Sequence, residues 1–132
     1  MFEDAAVISA YSRAQALEDG VLHDLGAVAP GECQAFYKHP VACTDAVWML
    51  VARAGEMPGC SVQAVVHDVL FMSRRGSRSL NRSTVEFQVI LAGSQQQAGQ
   101  EWPDCDTCTL ILTVGPGDDL APVITICFPG ES

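Results

Sequence analysis

Gly115-Pro-Gly-Asp-Asp-Leu-Ala-Pro-Val-Ile-Thr125 is the stretch on which the fold assignment depends, because a glycine-rich segment beside paired carboxylates fits several structures. A phosphate-binding loop follows a strand, opens a helix and usually carries a Gly-Lys-Ser/Thr sequence. Here the segment lies between two apolar runs typical of strands, and Asp118 and Asp119 would repel a phosphate. The pair is too small a ligand set for a metal ion, and the spacing of an EF-hand is absent. The segment therefore predicts a turn between two strands.

Three strands are predicted around this turn. The residues from 84 to 91 alternate between apolar and polar side chains, which is typical of a half-buried strand. The apolar members are Val85, Phe87, Val89 and Leu91. A second strand is predicted over 107–114 and a third over 122–128, whereas the polar segment 93–104 is predicted to be a loop. We therefore expect a C-terminal antiparallel three-stranded meander.

Three helices are predicted before these strands. Ser12 caps the first helix and Gly20 ends it, while Thr44 caps the second helix and Gly55 ends it. Ser61 opens the third. Its apolar residues share one face, and they are Val62, Val65, Val66, Val69 and Leu70. Trp48, inside the second helix, is expected to be a core residue.

The segments between the first two helices carry weaker signals. Val21 and Leu22 belong to a short extended piece or turn and are expected to be buried, and residues 26–32 are predicted to be a loop. Helices followed by strands predict an α+β fold, with N-terminal helices packed on one face of the C-terminal antiparallel meander. A length of 132 residues fits a single domain over 1–132.

The charge limits the classes of partner. Sixteen acidic residues against seven basic ones give a net charge of -9, which disfavours direct binding to nucleic acid or to an anionic membrane. The same charge favours binding to a basic protein surface over binding to nucleic acid. The favoured interpretation, however, is that it simply keeps the protein soluble. The longest clean apolar stretch covers only residues 46–52, far short of the roughly 20 residues of a transmembrane helix. No signal peptide is evident at the N-terminus, so we expect a cytoplasmic protein.

Neither the cysteines nor the histidines form a recognisable metal or catalytic motif. Cys105 and Cys108 form a CxxC without a second pair of ligands, and the motif precedes a strand rather than a helix. The three histidines are isolated, each beside an aspartate or a proline that does not set catalytic geometry. We therefore predict no metal, no cofactor and no catalytic residues.

Four of the seven basic residues are arginines within the segment 72–82, and they are Arg74, Arg75, Arg78 and Arg82. Arginines interspersed with serines can bind a phosphate or an acidic partner. They are equally typical of a basic, mobile link between a helix and a strand. The second interpretation is favoured.

Three segments resemble a family of small uncharacterised proteins from bacteria, plasmids and phages. Residues 7–25 resemble that family's ISxY(T/S)RxQAxxDGxLxD start, residues 40–48 its PVAxTxAVW segment, and residues 115–125 its GPGDxxxPVIT ending. The resemblance implies a mobile-element setting, in which small acidic proteins often inhibit host defence. It implies no catalytic residues.

Two functions of different classes follow. The first is a non-enzymatic accessory protein that blocks a basic, nucleic-acid-binding surface of a host defence complex, as an anti-CRISPR inhibitor does. The acids expected to contact that partner are Glu101, Asp104, Asp106, Asp118 and Asp119. The alternative is a small cytoplasmic enzyme or ligand-binding domain that uses Tyr11, Arg13 and Asp19. A concave pocket joining these three would favour the alternative.

Overall fold

The computed structural model describes residues 12–90 and 107–130. Its helices are α1 (Arg13–Asp19), α2 (Leu25–Val28), α3 (Pro30–Phe36), α4 (Asp45–Gly55) and α5 (Val62–Arg75). Its strands are β1 (Leu22–Asp24), β2 (Val41–Thr44), β3 (Arg78–Asn81), β4 (Thr84–Ile90), β5 (Thr107–Pro116) and β6 (Pro122–Cys127). The strands form one sheet in the order β1-β2-β6-β5-β4-β3.

The α+β class is confirmed, but the prediction of a three-stranded antiparallel meander is wrong. The sheet has six strands and is mixed, because β2 pairs with β6 in parallel while the other neighbouring strands are antiparallel. A strand from the N-terminal half therefore lies beside the C-terminal strand. β1, β2 and β3 are each only three or four residues long, too short to show a period in the sequence.

One face of the sheet forms the main core with α4 and α5. Phe87, Leu110 and Ile126 project from the strands on this face, and Val66 and Leu70 meet them from α5. All five are at most 1% exposed, and burying a side chain of this size contributes about 1.5–3 kcal/mol. Trp48, which we expected in the core, is only partly buried and packs against its edge.

The helices do not all pack on one face. Side chains alternate along β6, so that Ile124 enters the main core while Thr125 points to the opposite face. The guanidinium of Arg13 bonds to Thr125 Oγ1, which places α1 across this second face. Ala42, Ile111 and Cys127 are buried there as a smaller apolar layer.

The predicted helix caps are confirmed. The hydroxyl of Ser12 accepts from Gln15 N at 3.0 Å, and that of Ser61 accepts from Ala64 N at 3.1 Å. Thr44 caps α4 in the same way. Gly20 ends α1 with φ 81°, a left-handed conformation that glycine adopts without a steric penalty.

Three local predictions are wrong. Residues 26–32 lie in two short helices rather than a loop, because Asp24 caps α2 through Gly26 N and Pro30 occupies the first position of α3. Val21 is 49% exposed rather than buried, since it lies at the edge of the second face. The basic segment 72–82 is not simply a link, because α5 continues to Arg75 and β3 then forms the edge of the sheet. Arg74 and Arg75 do lie in the last turn of the helix, as that interpretation expected. The predicted loop 93–104 lies outside the described residues.

Candidate functional site

The stretch from Gly115 to Thr125 forms the predicted turn between β5 and β6. Pro116 pairs with Pro122, and Gly117 N donates to Ala121 O at 2.8 Å to close the turn. A Cβ at Gly117 would lie 2.8 Å from Val123 Cγ1 and 3.3 Å from Ala121 O, so a larger residue requires the Val123 side chain or the turn to move. The antiparallel-turn prediction is therefore confirmed.

Asp118 ties this turn to α1. Its two carboxylate oxygens accept from Arg13 N at 2.8 Å and from Ala14 N at 3.0 Å. These two backbone hydrogen bonds hold the pKa of the Asp118 carboxyl below its ordinary value, although the side chain is exposed. The carboxylate predicted to contact a partner thus serves first to join two elements of its own chain.

Arg13 joins the same helix to β6. Its NH1 donates to Thr125 Oγ1 and its NH2 donates to Ile124 O, both at 2.8 Å. Burial lowers the pKa of Arg13, while the charges of Asp24 and Asp118 oppose that effect. Within the described part of the chain no carboxylate lies within ion-pair distance of this guanidinium. The guanidinium instead donates to a hydroxyl and to a backbone carbonyl.

A groove of about 800 Å³ lies between α1 and the β5–β6 turn, on the second face of the sheet. Its polar lining includes Arg13, Asp118 and Thr125. Its apolar lining is formed by Ala16, Val21, Leu22, Leu120 and Val123. We call this cavity the α1 groove.

Leu120 lies at the rim of the α1 groove, with an exposed apolar side chain and a strained backbone. Its side chain is 80% exposed, and its backbone has φ 71°, in the left-handed region. A non-glycine residue pays roughly 1–2 kcal/mol for that conformation. Leu120 is the one non-glycine residue with positive φ among the described residues. Leu120 thus combines backbone strain with an exposed apolar side chain.

Only two of the five acidic residues that we predicted to contact a partner lie in the described part of the chain. Asp118 and Asp119 lie in the β5–β6 turn, where Asp119 Oδ1 also accepts from Ala121 N at 3.1 Å. The other three members, Glu101, Asp104 and Asp106, lie outside the described residues. Thr107, where the described chain resumes, is at the far end of β5 from the turn. Partner contact by these acids stays a prediction.

The residues of the alternative hypothesis are not brought together as a set. Arg13 lines the α1 groove, but Asp19 lies at the end of α1 and is not part of the lining. Tyr11 lies outside the described residues. A concave cavity is therefore present, with one of the three expected residues in its wall.

A histidine–aspartate pair that the sequence did not predict joins the edge strand β1 to the first residue of α4. His23 Nε2 is 2.7 Å from Asp45 Oδ1, and its ring stacks on Trp48 with 5.3 Å between centroids. Asp45 is 22 residues away in sequence, so only the pairing of β1 with β2 could reveal this contact.

The comparisons with known proteins give one match. A model of the family of unknown function DUF6573 covers residues 1–132. The chain belongs to DUF6573. No curated protein and no solved structure matches it.

In this DUF6573 chain the three segments that carried the resemblance are neighbours in space. β6, from the third segment, pairs with β2, from the second, and accepts the hydrogen bonds of Arg13, from the first. Every residue lining the α1 groove except Thr113 belongs to the first or the third segment. No helix in the described ranges is both long enough and apolar enough to cross a membrane.

Three of the five described cysteines, Cys33, Cys43 and Cys127, are buried, whereas Cys60 and Cys108 are partly exposed. Burial raises the pKa of the Cys33 thiol to about 11, which keeps it protonated. Cys105, half of the CxxC pair, lies outside the described residues. In residues 12–90 and 107–130, no three His, Cys, Asp or Glu side chains are arranged to hold a metal ion.

Proposed function

We propose that this protein is a non-enzymatic binding protein that uses the α1 groove and the β5–β6 turn to occupy a basic surface of another macromolecule. The observation that carries the proposal is Leu120, an exposed and strained leucine beside Asp118 and Asp119. Proteins keep such backbone strain where it serves a function.

The apolar part of the proposed contact extends beyond one side chain. Val21, which lines the same α1 groove, is 49% exposed, and the partly buried Val123 and Leu22 also line it. Binding energy at protein interfaces is concentrated in a few anchors that enter a desolvated pocket. Leu120 is the proposed anchor, with the α1 groove receiving an apolar side chain of the partner.

The charged part selects the kind of partner. Asp118 and Asp119 flank the anchor, and Asp24 is close enough to raise the pKa of Arg13. Carboxylates around an apolar centre complement a surface on which lysines or arginines surround an apolar patch. The net charge of -9 steers the protein toward such surfaces over a longer range.

We further propose that this partner is the nucleic-acid-binding surface of a host defence complex, in the manner of an anti-CRISPR inhibitor, and that the protein acts in the host cytoplasm. Charge supports this assignment, because an acidic protein competes for the cations that bind phosphates. The mobile-element setting comes from the sequence resemblance.

The test compares Leu120→Asn with Leu80→Asn. Leu80 is also an exposed leucine, but it lies in the edge strand β3, away from the α1 groove. With a partner identified by affinity capture and then purified, Leu120→Asn should weaken binding about tenfold or more, the loss typical of an interface anchor. Leu80→Asn should bind as the unaltered protein does. Equal binding by both variants would contradict the proposal.

A second candidate is a ligand-binding domain, favoured by the half-buried Arg13 in the wall of the α1 groove. A small anionic molecule with an apolar portion would suit that lining. A fragment screen followed by NMR would support this candidate if shifts centred on Ala16, Thr113 and Thr125 appeared at micromolar concentrations. Absence of such shifts would leave the binding protein as the remaining interpretation.

A further inference from the structure

β4 is longer than the strand that covers its outer edge. β3 pairs with Thr84, Val85 and Glu86, and the part of β4 from Phe87 to Ile90 has no strand beside it among the described strands. β4 pairs with β5 along its whole length on the other side. A notch about four residues long therefore lies beyond the start of β3.

The direction of the free backbone groups follows from the pairing with β5. Val114 N donates to Ser83 O at 2.8 Å, so the odd-numbered residues of β4 exchange hydrogen bonds with β5. The even-numbered residues direct their N–H and C=O groups to the outer edge. Thr84 and Glu86 meet β3 there, whereas Gln88 and Ile90 face the notch.

An apolar cavity of about 430 Å³ adjoins the notch, between α5 and the ends of β4 and β5. Gln88, Val89, Ile90 and Thr107 line it from the sheet, and Phe71 and Met72 line it from α5. Phe71 is 38% exposed and Ile90 is 60% exposed. A strand edge facing a helix across an apolar cavity is the geometry in which extended peptides add to a sheet.

The two ends of the notch differ in charge. At the end near β3, the guanidinium carbon of Arg75 lies 5.4 Å from the centroid of the Phe71 ring, and Arg78 bonds to Glu86 at 2.6 Å. Asp68 lines the opposite end. Within the described chain, Arg75 makes no ion pair with a carboxylate.

We propose that this notch binds an extended peptide segment of a partner as an added strand, with a carboxylate at Arg75. Antiparallel addition to β4 makes the peptide run in the direction of β3, so its C-terminal end reaches the basic end of the notch. The backbone of Gln88 and Ile90 supplies the pairing, and an apolar side chain fills the cavity beside Phe71 and Met72.

Nucleic acid fits this site less well than a peptide does. The outward-facing N–H and C=O groups of Gln88 and Ile90, which pair with no described strand, match the repeat of another strand. The net charge of -9 also opposes a polyanion. The notch and the α1 groove are separate surfaces, so this inference does not depend on the proposed function.

Residue-resolved amide exchange by NMR on the full chain is the first test. In the free protein, Phe87 and Val89 should exchange slowly, because they bond to β5, and Gln88 and Ile90 should exchange fast. Equal protection of all four amides would overturn the proposal, since it would mean that this edge is already paired.

The second test adds a probe, an acetylated pentapeptide of alternating threonine and valine with a free C-terminal carboxylate. At saturation it should slow exchange at Gln88 and Ile90 about tenfold, and N-methylation of its β4-facing amides should weaken binding about tenfold by removing hydrogen bonds. No slowing at any probe concentration would overturn the proposal.

The third test concerns the carboxylate. Arg75→Gln should weaken the probe about three- to fivefold, the size of an exposed ion pair, and should leave the C-terminally amidated probe unchanged. Arg82→Gln removes the same charge from the β3–β4 turn and should change neither affinity. Equal effects of the two substitutions would show that only net charge matters and would overturn the assignment of the carboxylate to Arg75.

Discussion

Leu120 is the residue on which the proposed function depends most, because its backbone is strained and its side chain is exposed. Asparagine tolerates the left-handed region better than leucine, so Leu120→Asn should keep or raise the free energy of unfolding, by up to about 1 kcal/mol. Urea denaturation measures this change. Leu80→Asn, at an exposed leucine without positive φ, is the control and should stay within about 0.5 kcal/mol of the unaltered protein. A loss above about 1 kcal/mol in Leu120→Asn would indicate that Leu120 stabilises the fold.

Asp118 gives the stability of the protein a pH dependence of known sign. Because its pKa is lower in the folded chain, it stabilises the fold above its unfolded pKa of about 3.9, and this contribution disappears as pH falls through the folded value. Asp118→Ala removes both acceptors for Arg13 N and Ala14 N. The difference in unfolding free energy between the two proteins should be constant above about pH 5 and should shrink in more acidic solution.

The control for Asp118→Ala is Glu18→Ala. It removes one negative charge from α1, the helix to which Asp118 bonds. Chemical denaturation at a series of pH values compares both variants with the unaltered protein. If the deficit of Asp118→Ala did not change with pH, the hydrogen bonds of its carboxylate would not be the source of its effect.

At the scale of the element, the β5–β6 hairpin depends on one glycine. Gly117→Ala places a Cβ 2.8 Å from Val123 Cγ1 and 3.3 Å from Ala121 O, so the Val123 side chain or the turn must move. We expect a loss of about 1–3 kcal/mol in unfolding free energy, as for other overpacked sites. Gly115→Ala is the matched control, since its Cβ would meet nothing within 4 Å. Equal losses in the two variants would contradict the steric explanation.

Elements with a pattern sustained over many residues, or with a capping residue, were predictable from the sequence. β4 alternates over seven residues, and α4 and α5 carry both an apolar face and a capping hydroxyl. β2 escaped prediction because its three apolar residues are buried without alternation and lead directly into a helix cap. β3 escaped because all four of its residues are exposed, so no face is marked.

The site was less predictable than the fold, because its contacts join distant segments. Arg13 and Thr125 are 112 residues apart, and Asp118 caps a helix 105 residues before it. No periodicity encodes such a contact. The signal that could have indicated it was Leu120 itself, a large apolar residue in a turn where Gly and Asp are expected.

At the scale of the whole molecule, the charges are unevenly distributed. Arg74, Arg75, Arg78 and Arg82 lie at the end of α5 and around β3, whereas Asp118, Asp119 and Asp24 lie near α1 and the β5–β6 turn. All seven basic residues belong to the described part of the chain. The two proposed surfaces therefore differ in sign: the α1 groove suits a basic partner, and the notch suits a peptide carboxylate.

This distribution predicts how salt affects binding to the basic partner. Neutralising Glu101, Asp104, Asp106 and Asp119 together, with Asp118 kept because it holds α1, should slow association at low salt. The difference in association rate between this variant and the unaltered protein should vanish near 1 M salt, where the screening length is about 3 Å. Surface plasmon resonance at several salt concentrations measures it. An unchanged association rate at low salt would mean that the acids only keep the protein soluble.

Cross-linking from position 120 tests the central claim most directly. A photoreactive amino acid replaces Leu120 in one variant and Leu80 in a control, and the cross-linked peptide of the partner is identified by mass spectrometry. The account predicts that position 120 reacts with a lysine- or arginine-rich surface, that added nucleic acid prevents the reaction, and that position 80 does not react there. Cross-links from position 80 alone, or from position 120 to a surface that nucleic acid does not protect, would contradict it.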